Sequence, residues 1–157
     1  MKTRLLLLIA FLGIIMVSCD KEEDAVYYRF DEAKFVAKQK QWNEQDLQNY
    51  QYVQSYYSST TGPVSETIVV RNGIASSENE TRSAMIGTIS DVYTRVINDF
   101  NQGKTQQNLP INGISVDVTY NEDYSYPEDI KFTTSYKEAV AGGAWYDLKI
   151  SDFEILE

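Results

Sequence analysis

Five apolar side chains, Ile89, Val92, Tyr93, Val96 and Phe100, recur at intervals of three and four residues. That spacing puts them on one face of a helix, and such a stripe must be pressed against another element. Thr88 precedes the stripe and Asp91 stands three residues on, a capping-box pair that marks the helix start. On either side of this segment the apolar period is two. Ile114, Val116, Val118 and Tyr120 share one side of a run whose other side is Ser115, Asp117 and Thr119. Tyr146, Leu148 and Ile150 alternate in the same way. So do Tyr50, Tyr52 and Tyr56, with Gln54 between them and Val53 and Tyr57 opposite. Half-buried strands carry this pattern. The chain therefore has to build a sheet with one apolar face for its helix to cover.

The remaining segments fit that frame. Asp31 is a candidate N-cap, and the residues from there to about Gln45 favour helix, with Phe35 and Trp42 seven apart on one face. Glu66 to Arg71 is a β-rich run ending in Asn72-Gly73, the dipeptide of type I′ hairpin turns, with Ile74 to Ser77 as the returning strand. Asn101 to Asn108 is expected to break the second helix. Asp129 to Thr134 and Trp145 to Ile150 read as strands, Tyr136 to Gly143 as a loop, and Phe153 and Ile155 as the end of the core. The order is helix, strands, helix, strands. The expected fold class is α+β, with two helices packed on one face of an antiparallel sheet, in a single domain over residues 30–157.

The N-terminus carries a different signal. Lys2 and Arg4 precede a thirteen-residue apolar run, Leu5 to Val17, too short for a membrane span of about 20 residues and suited to the core of a secretory signal over residues 1–18. Met16-Val17-Ser18-Cys19 resembles a bacterial lipobox, with Met where Leu is usual. The resemblance implies cleavage before Cys19 and lipidation of its thiol. Each buried CH₂ contributes about 0.8 kcal/mol, so several acyl chains hold a protein stably at a membrane. Residues 19–29 then read as a tether. Its start, Asp20-Lys21-Glu22-Glu23-Asp24, resembles the acidic export signal of Bacteroidota lipoproteins. That implies the outer membrane and display on its outer face, with a periplasm-facing domain as the alternative. In enteric bacteria Asp after the Cys implies inner-membrane retention instead.

Composition narrows the chemistry. The chain has no His, one Cys and a net charge of −9. The commonest general base and metal ligand is missing, and an internal disulfide is excluded. The acidic balance argues against nucleic acid as a partner. With Cys19 acylated and no His to activate a Ser, nucleophilic catalysis has no starting point, and a non-enzymatic protein without cofactor or metal is expected. Glu122, Asp123, Glu128 and Asp129 flank one turn but lack the spacing of a Ca²⁺ loop, and read as solvated acids. The twelve Tyr and two Trp are the richer signal. Tyr56 and Tyr57 lead into the polar loop Ser58 to Pro63, and Tyr124 and Tyr126 sit in the turn before Pro127. These four are the candidate ligand contacts, because exposed Tyr gives rigid contact area with a polar tip. Tyr120 and Tyr146 read as core.

Taken in order, Trp42, Asn49-Tyr50-Gln51-Tyr52, Val69-Val70-Arg71-Asn72-Gly73, Thr88-Ile89-Ser90-Asp91, Val118-Thr119-Tyr120-Asn121 and Tyr126-Pro127 resemble the uncharacterised bacterial family DUF6174 over roughly residues 40–155. Asn121 stands where that family usually has Asp, and Ser125 where Gly usually precedes the Tyr-Pro pair. The resemblance implies a fold and a lipoprotein habit rather than an activity. The strand-Asn-Gly-strand unit is also similar, at the level of fold alone, to PepSY-type domains, which are linked with peptidase restraint. The expectation is a lipid-anchored envelope module that binds or assists an envelope protein or a glycan, with an inhibitory or chaperone-like domain as the alternative.

Overall fold

A computed structural model describes residues 25–77, 86–105, 110–138 and 144–157. The signal segment and Cys19 lie outside the described residues. The first element is a short strand, β1 (Tyr27–Arg29), followed by helix α1 (Glu32–Asn43). A meander of β2 (Tyr50–Ser58), β3 (Val64–Arg71) and β4 (Ile74–Ser77) comes next. Helix α2 (Ile89–Thr105) leads into a second meander, β5 (Ile111–Tyr120), β6 (Pro127–Tyr136) and β7 (Ala144–Ile155).

All seven strands join one sheet in the order β1-β5-β6-β7-β2-β3-β4. The two meanders meet where β2 pairs antiparallel with β7, Gln54 opposite Ile150 and Tyr56 opposite Leu148. The architecture is α+β, as expected, but two parts of the sequence reading need correction. The sheet is mixed, because β1 pairs parallel with β5. Moreover, Tyr27 to Arg29 lies in the segment assigned to the tether, so a strand precedes the first helix. Three residues are too few to show a periodicity, and the pairing depends on Gly113. A Cβ there would come within 2.4 Å of the Tyr27 ring, which lies across the glycine.

One face of the sheet is dry. Tyr50, Tyr52, Val64, Ile68, Val70, Ile114, Val116, Ile130, Phe132, Leu148 and Ile150 are buried together with Phe35 and Trp42 of α1 and the whole α2 stripe. Both helices therefore lie on this face. Asp31 caps α1 by accepting from the Lys34 amide at 2.9 Å. Thr88 and Asp91 form the reciprocal capping box: the Thr88 amide donates to the Asp91 carboxylate at 2.7 Å, and the Asp91 amide to the Thr88 hydroxyl at 3.1 Å. Helix α2 continues to Thr105 rather than ending at Asn101, because Gly103 lets it approach β5 closely, with the Ile114 side chain filling the space a Cβ would need. Among the described residues no helix is long and apolar enough to cross a membrane.

The two meanders run in the same lateral order, but the pairings reverse the strand directions of the second. Rotating one unit onto the other would move its helix to the opposite face. With both helices on one face, the halves are not related by rotation.

The sheet's turns depart from ideal geometry at informative places. Asn72 and Gly73 both have positive φ, 52° and 75°, as a type I′ hairpin requires. A bulge in β7 sets two residues, Asp152 and Phe153, against Tyr52 alone, with Asp152 at φ 50°. The extra residue reverses the alternation after Ile150 and turns Phe153 onto the helix side. Ile155, expected in the core, is the last residue of β7 and is 45% exposed.

Candidate functional site

The turn between β5 and β6 is built around Asn121. Its side-chain oxygen accepts from the amides of Asp123 and Tyr124, at 3.1 and 2.9 Å, and its amide nitrogen donates to Glu128 at 2.9 Å. The Asn121 backbone amide donates to the Tyr126 carbonyl, and the Ser125 amide returns to the Asn121 carbonyl. Closing so tight a loop forces Ser125 to φ 62°, a conformation that suits glycine. Here the serine hydroxyl donates to Gln41 at 2.9 Å and accepts from Lys38 at 3.1 Å, tying the turn to α1.

That tie decides the fate of two candidate contacts. Gln45 of the α1 exit donates to the Tyr124 carbonyl at 2.6 Å, and the turn folds inward over Phe153. The Tyr124 and Tyr126 rings stand 5.0 and 4.9 Å from the Phe153 ring, and Tyr126 also meets Trp42 edge-on. Tyr126 is only 6% exposed and offers a ligand almost no surface, while Tyr124 is half-buried. Of the acids on this turn, Glu122 and Asp123 are exposed, Glu128 is held by Asn121, and Asp129 pairs with Lys149 at 3.9 Å. Among the described residues no three His, Cys, Asp or Glu side chains gather as a metal site would need.

Much of the tyrosine content serves the start of α2. The Tyr52 hydroxyl donates to the Gly87 carbonyl at 2.5 Å, and the Tyr50 hydroxyl accepts from the Ile89 amide at 3.1 Å. Tyr93 donates to the Ser125 carbonyl, joining helix to turn. Burial raises the pKa of all three phenols above the ordinary value, so they stay neutral. Tyrosine satisfies buried backbone groups while contributing a full ring to the core.

Beside α2 lies an open groove of about 330 Å³ bordered by Asp99, Gln102, Phe132, Thr134 and Tyr146. Tyr146 stacks between Tyr56 and Phe132, at 5.6 and 5.0 Å, and its hydroxyl donates to Asp99 at 3.0 Å. Burial lifts the Asp99 carboxyl above the usual carboxylate range, with the Tyr146 bond and Arg95 opposing that lift. Deeper on the same face, Glu66 is 9% exposed opposite Gln54 in the β2–β3 register. One Glu66 oxygen accepts from Ser77 at 3.0 Å, and the other has no partner among the described residues. Sequence reasoning missed this polar inset, although Gln54 and Glu66 both sit on otherwise apolar sides of their strands.

Among the described residues the opposite face of the sheet carries no helix. Its side chains form a cross-strand pattern of alternating charge: Asp117 faces Lys131, Lys131 faces Asp147, and Asp129 faces Lys149. At one edge Arg29 pairs with Asp117 at 2.6 Å and with Ser115 at 3.0 Å. Tyr57 rises from the middle of this face, 46% exposed, its ring 4.9 Å from Trp145 in a T-shaped contact. Next to it is a depression of about 270 Å³ between β2, β3 and β7. Tyr56, adjacent in sequence, points to the other face and stacks on Tyr146. Of the four nominated tyrosines, then, Tyr57 alone projects from the open face. Alternation in β2 had already separated Tyr56 from Tyr57, but nothing local announced that Trp145 would stand beside Tyr57, since that depends on the β2–β7 register.

Comparison with known proteins gives one match. A model described as a family of unknown function, DUF6174, matches residues 34–154. No curated protein and no solved structure matches the chain.

Proposed function

We propose, for a chain that belongs to the DUF6174 family, that it is a lipid-anchored envelope module that works by binding rather than catalysis, with the helix-free face of its sheet as the contact surface. The observation that carries this reading is the composition of that face. Exposed Tyr57, backed by half-buried Trp145, rises among charges that alternate across the strands. A rigid aromatic anchor with a polar surround is the make-up of a recognition surface. Among the described residues both helices occupy the other face, which leaves this one for a partner.

The anchor agrees with the geometry of the domain. Seven residues, 20–26, lie between Cys19 and Tyr27, the start of β1. Fully extended, the eight steps from Cys19 to Tyr27 reach about 28 Å. A lipid on Cys19 would hold the sheet close to the membrane surface, where envelope partners are concentrated, and the chain's acidity would keep it off anionic headgroups.

Two experiments test the reading. Metabolic labelling with a palmitate analogue is expected to label the wild type and not Cys19→Ala, which should move to the soluble fraction. A free thiol on a chain that still begins with Met1 overturns the anchor. Photocrosslinking in intact cells is expected to capture a partner from Val53 or Thr67, on the helix-free face, and not from Gln102 on α2. Equal capture from both faces, or none from the sheet, overturns the choice of surface.

A further inference from the structure

The depression beside Tyr57 has a chemistry of its own, and we infer that it is a saccharide subsite that takes a single pyranose ring of a longer glycan. This inference rests on the reading of the helix-free face as the contact surface and names the ligand class for it.

The depression is lined by Ser55, Tyr57, Pro63, Ser65, Asp147 and Lys149. Tyr57 and Pro63 supply apolar ring surfaces. Trp145 holds the Tyr57 ring in a T-shaped contact and leaves it open to solvent. The hydroxyls of Ser55 and Ser65 face each other across the β2–β3 pair, 3.1 Å apart. Asp147 lies opposite Tyr57, and Lys149 opposite Ser55, in the β2–β7 register. One carboxylate, one ammonium and two hydroxyls therefore converge beside an apolar wall.

That set matches a ligand with an apolar face and many groups that both donate and accept hydrogen bonds. A pyranose has this character: its axial C–H face packs on an aromatic ring, and vicinal hydroxyls donate to a carboxylate while accepting from an ammonium. Other ligand classes fit less well. A peptide cannot add as a strand, because β2 and β7 are each paired on both sides. A phosphate would meet a carboxylate beside the single lysine. An acyl chain would desolvate both charges. The volume of about 270 Å³ falls below that of most drug-sized ligand sites, roughly 300–1,000 Å³, and the open rim allows neighbouring sugar units to continue along the sheet.

The test is calorimetric titration of the purified full chain with cellohexaose, maltohexaose, xylohexaose, laminarihexaose and chitohexaose, with tryptophan fluorescence followed in parallel to report on Trp145. Saturable binding of at least one oligosaccharide is expected. The affinity should fall about tenfold or more in Tyr57→Ala and stay within about threefold in Tyr57→Phe, a retained ring being the larger part of the contact. Ser65→Tyr fills the depression from an exposed position and should also abolish binding, which guards against a fold defect in Tyr57→Ala. Absence of binding to all five sugars overturns the inference, as does binding indifferent to both Tyr57→Ala and Ser65→Tyr. If the sugars fail while crosslinking from Val53 still captures a partner, the saccharide inference is lost and the binding-module reading stands. If crosslinking fails as well, both are lost.

Discussion

Ser125 sets two opposed contributions against each other, and substitution can separate them. The residue is buried at φ 62°, its hydroxyl donating to Gln41 and accepting from Lys38. Ser125→Ala keeps the left-handed backbone and loses both side-chain bonds. At about 0.5–1.5 kcal/mol for each net hydrogen bond, the expected loss is about 1–3 kcal/mol. Ser125→Gly loses the same bonds but relieves the left-handed strain, about 1–2 kcal/mol for an L-residue. The added freedom of glycine in the unfolded chain returns roughly 0.5–1 kcal/mol of that gain. Glycine should therefore be more stable than alanine by about 0.5–1 kcal/mol, although both fall below wild type or close to it. In a domain of this size that separates the two melting temperatures by about 2–5 °C. Urea denaturation of the three proteins, fitted with a shared m value, measures the difference directly. The backbone carbonyl that accepts from Tyr93 is present in all three, so that contact cancels. An alanine variant as stable as the glycine variant would refute the argument that this turn holds strain.

Three further outcomes follow from the geometry. Tyr52→Phe leaves the Gly87 carbonyl without its donor inside the core, and should lower stability by about 1–3 kcal/mol in chemical denaturation; unchanged stability would mean water replaces the hydroxyl. Asp99 has a folded-state pKa above its unfolded value, so the folded protein binds more protons between the ordinary carboxylate value of 3.8 and the raised one, and Asp99 costs stability as pH rises through that window. Asp99→Asn should lose less stability than wild type as pH rises above the ordinary carboxylate value, and parallel profiles for the two proteins would contradict the raised pKa. Gly113→Ala places a methyl group within 2.4 Å of the Tyr27 ring, and should release β1 from β5 with faster hydrogen exchange at Tyr27 to Arg29 and little change in the α2 core; retained protection would show that Tyr27 can move aside without breaking the pairing.

Local pattern carried the elements whose stabilising groups lie close together in the chain. The α2 stripe and its capping box, the Asp31 cap and the Asn72-Gly73 turn each involve residues within a few positions of one another, and sequence reading found them. The alternation in β2, β5 and β7 was equally legible, because burial on one face imposes period two wherever the strand lies in the sheet. The elements that escaped depend on distant partners. β1 exists because Gly113 makes room for Tyr27, and α2 outlasts its expected end because Gly103 packs on Ile114. The β7 bulge shifts the alternation by one residue, so Phe153 turns inward, and Ile155, the last residue of β7, is exposed.

The same division runs through the candidate site. Tyr57 was legible as an outward residue of an alternating strand. Tyr126 was not legible as buried, since it lies on a polar turn and enters the core only because Ser125, Gln41 and Gln45 fold that turn against α1. Nor could sequence place Trp145 and Asp147 beside Tyr57, or gather Asp99, Tyr146 and Tyr56 along one groove, because strand register and helix placement set those neighbours. The sequence by itself determined an α+β class, the helix-starting caps and which side of each long strand faces inward, since these rest on local periodicity and short-range hydrogen bonds. Tertiary structure alone decided which of twelve tyrosines are spent on the core and which, such as Tyr27, Tyr28 and Tyr57, meet solvent, because burial is a property of the whole sheet and the two helices that cover one side of it.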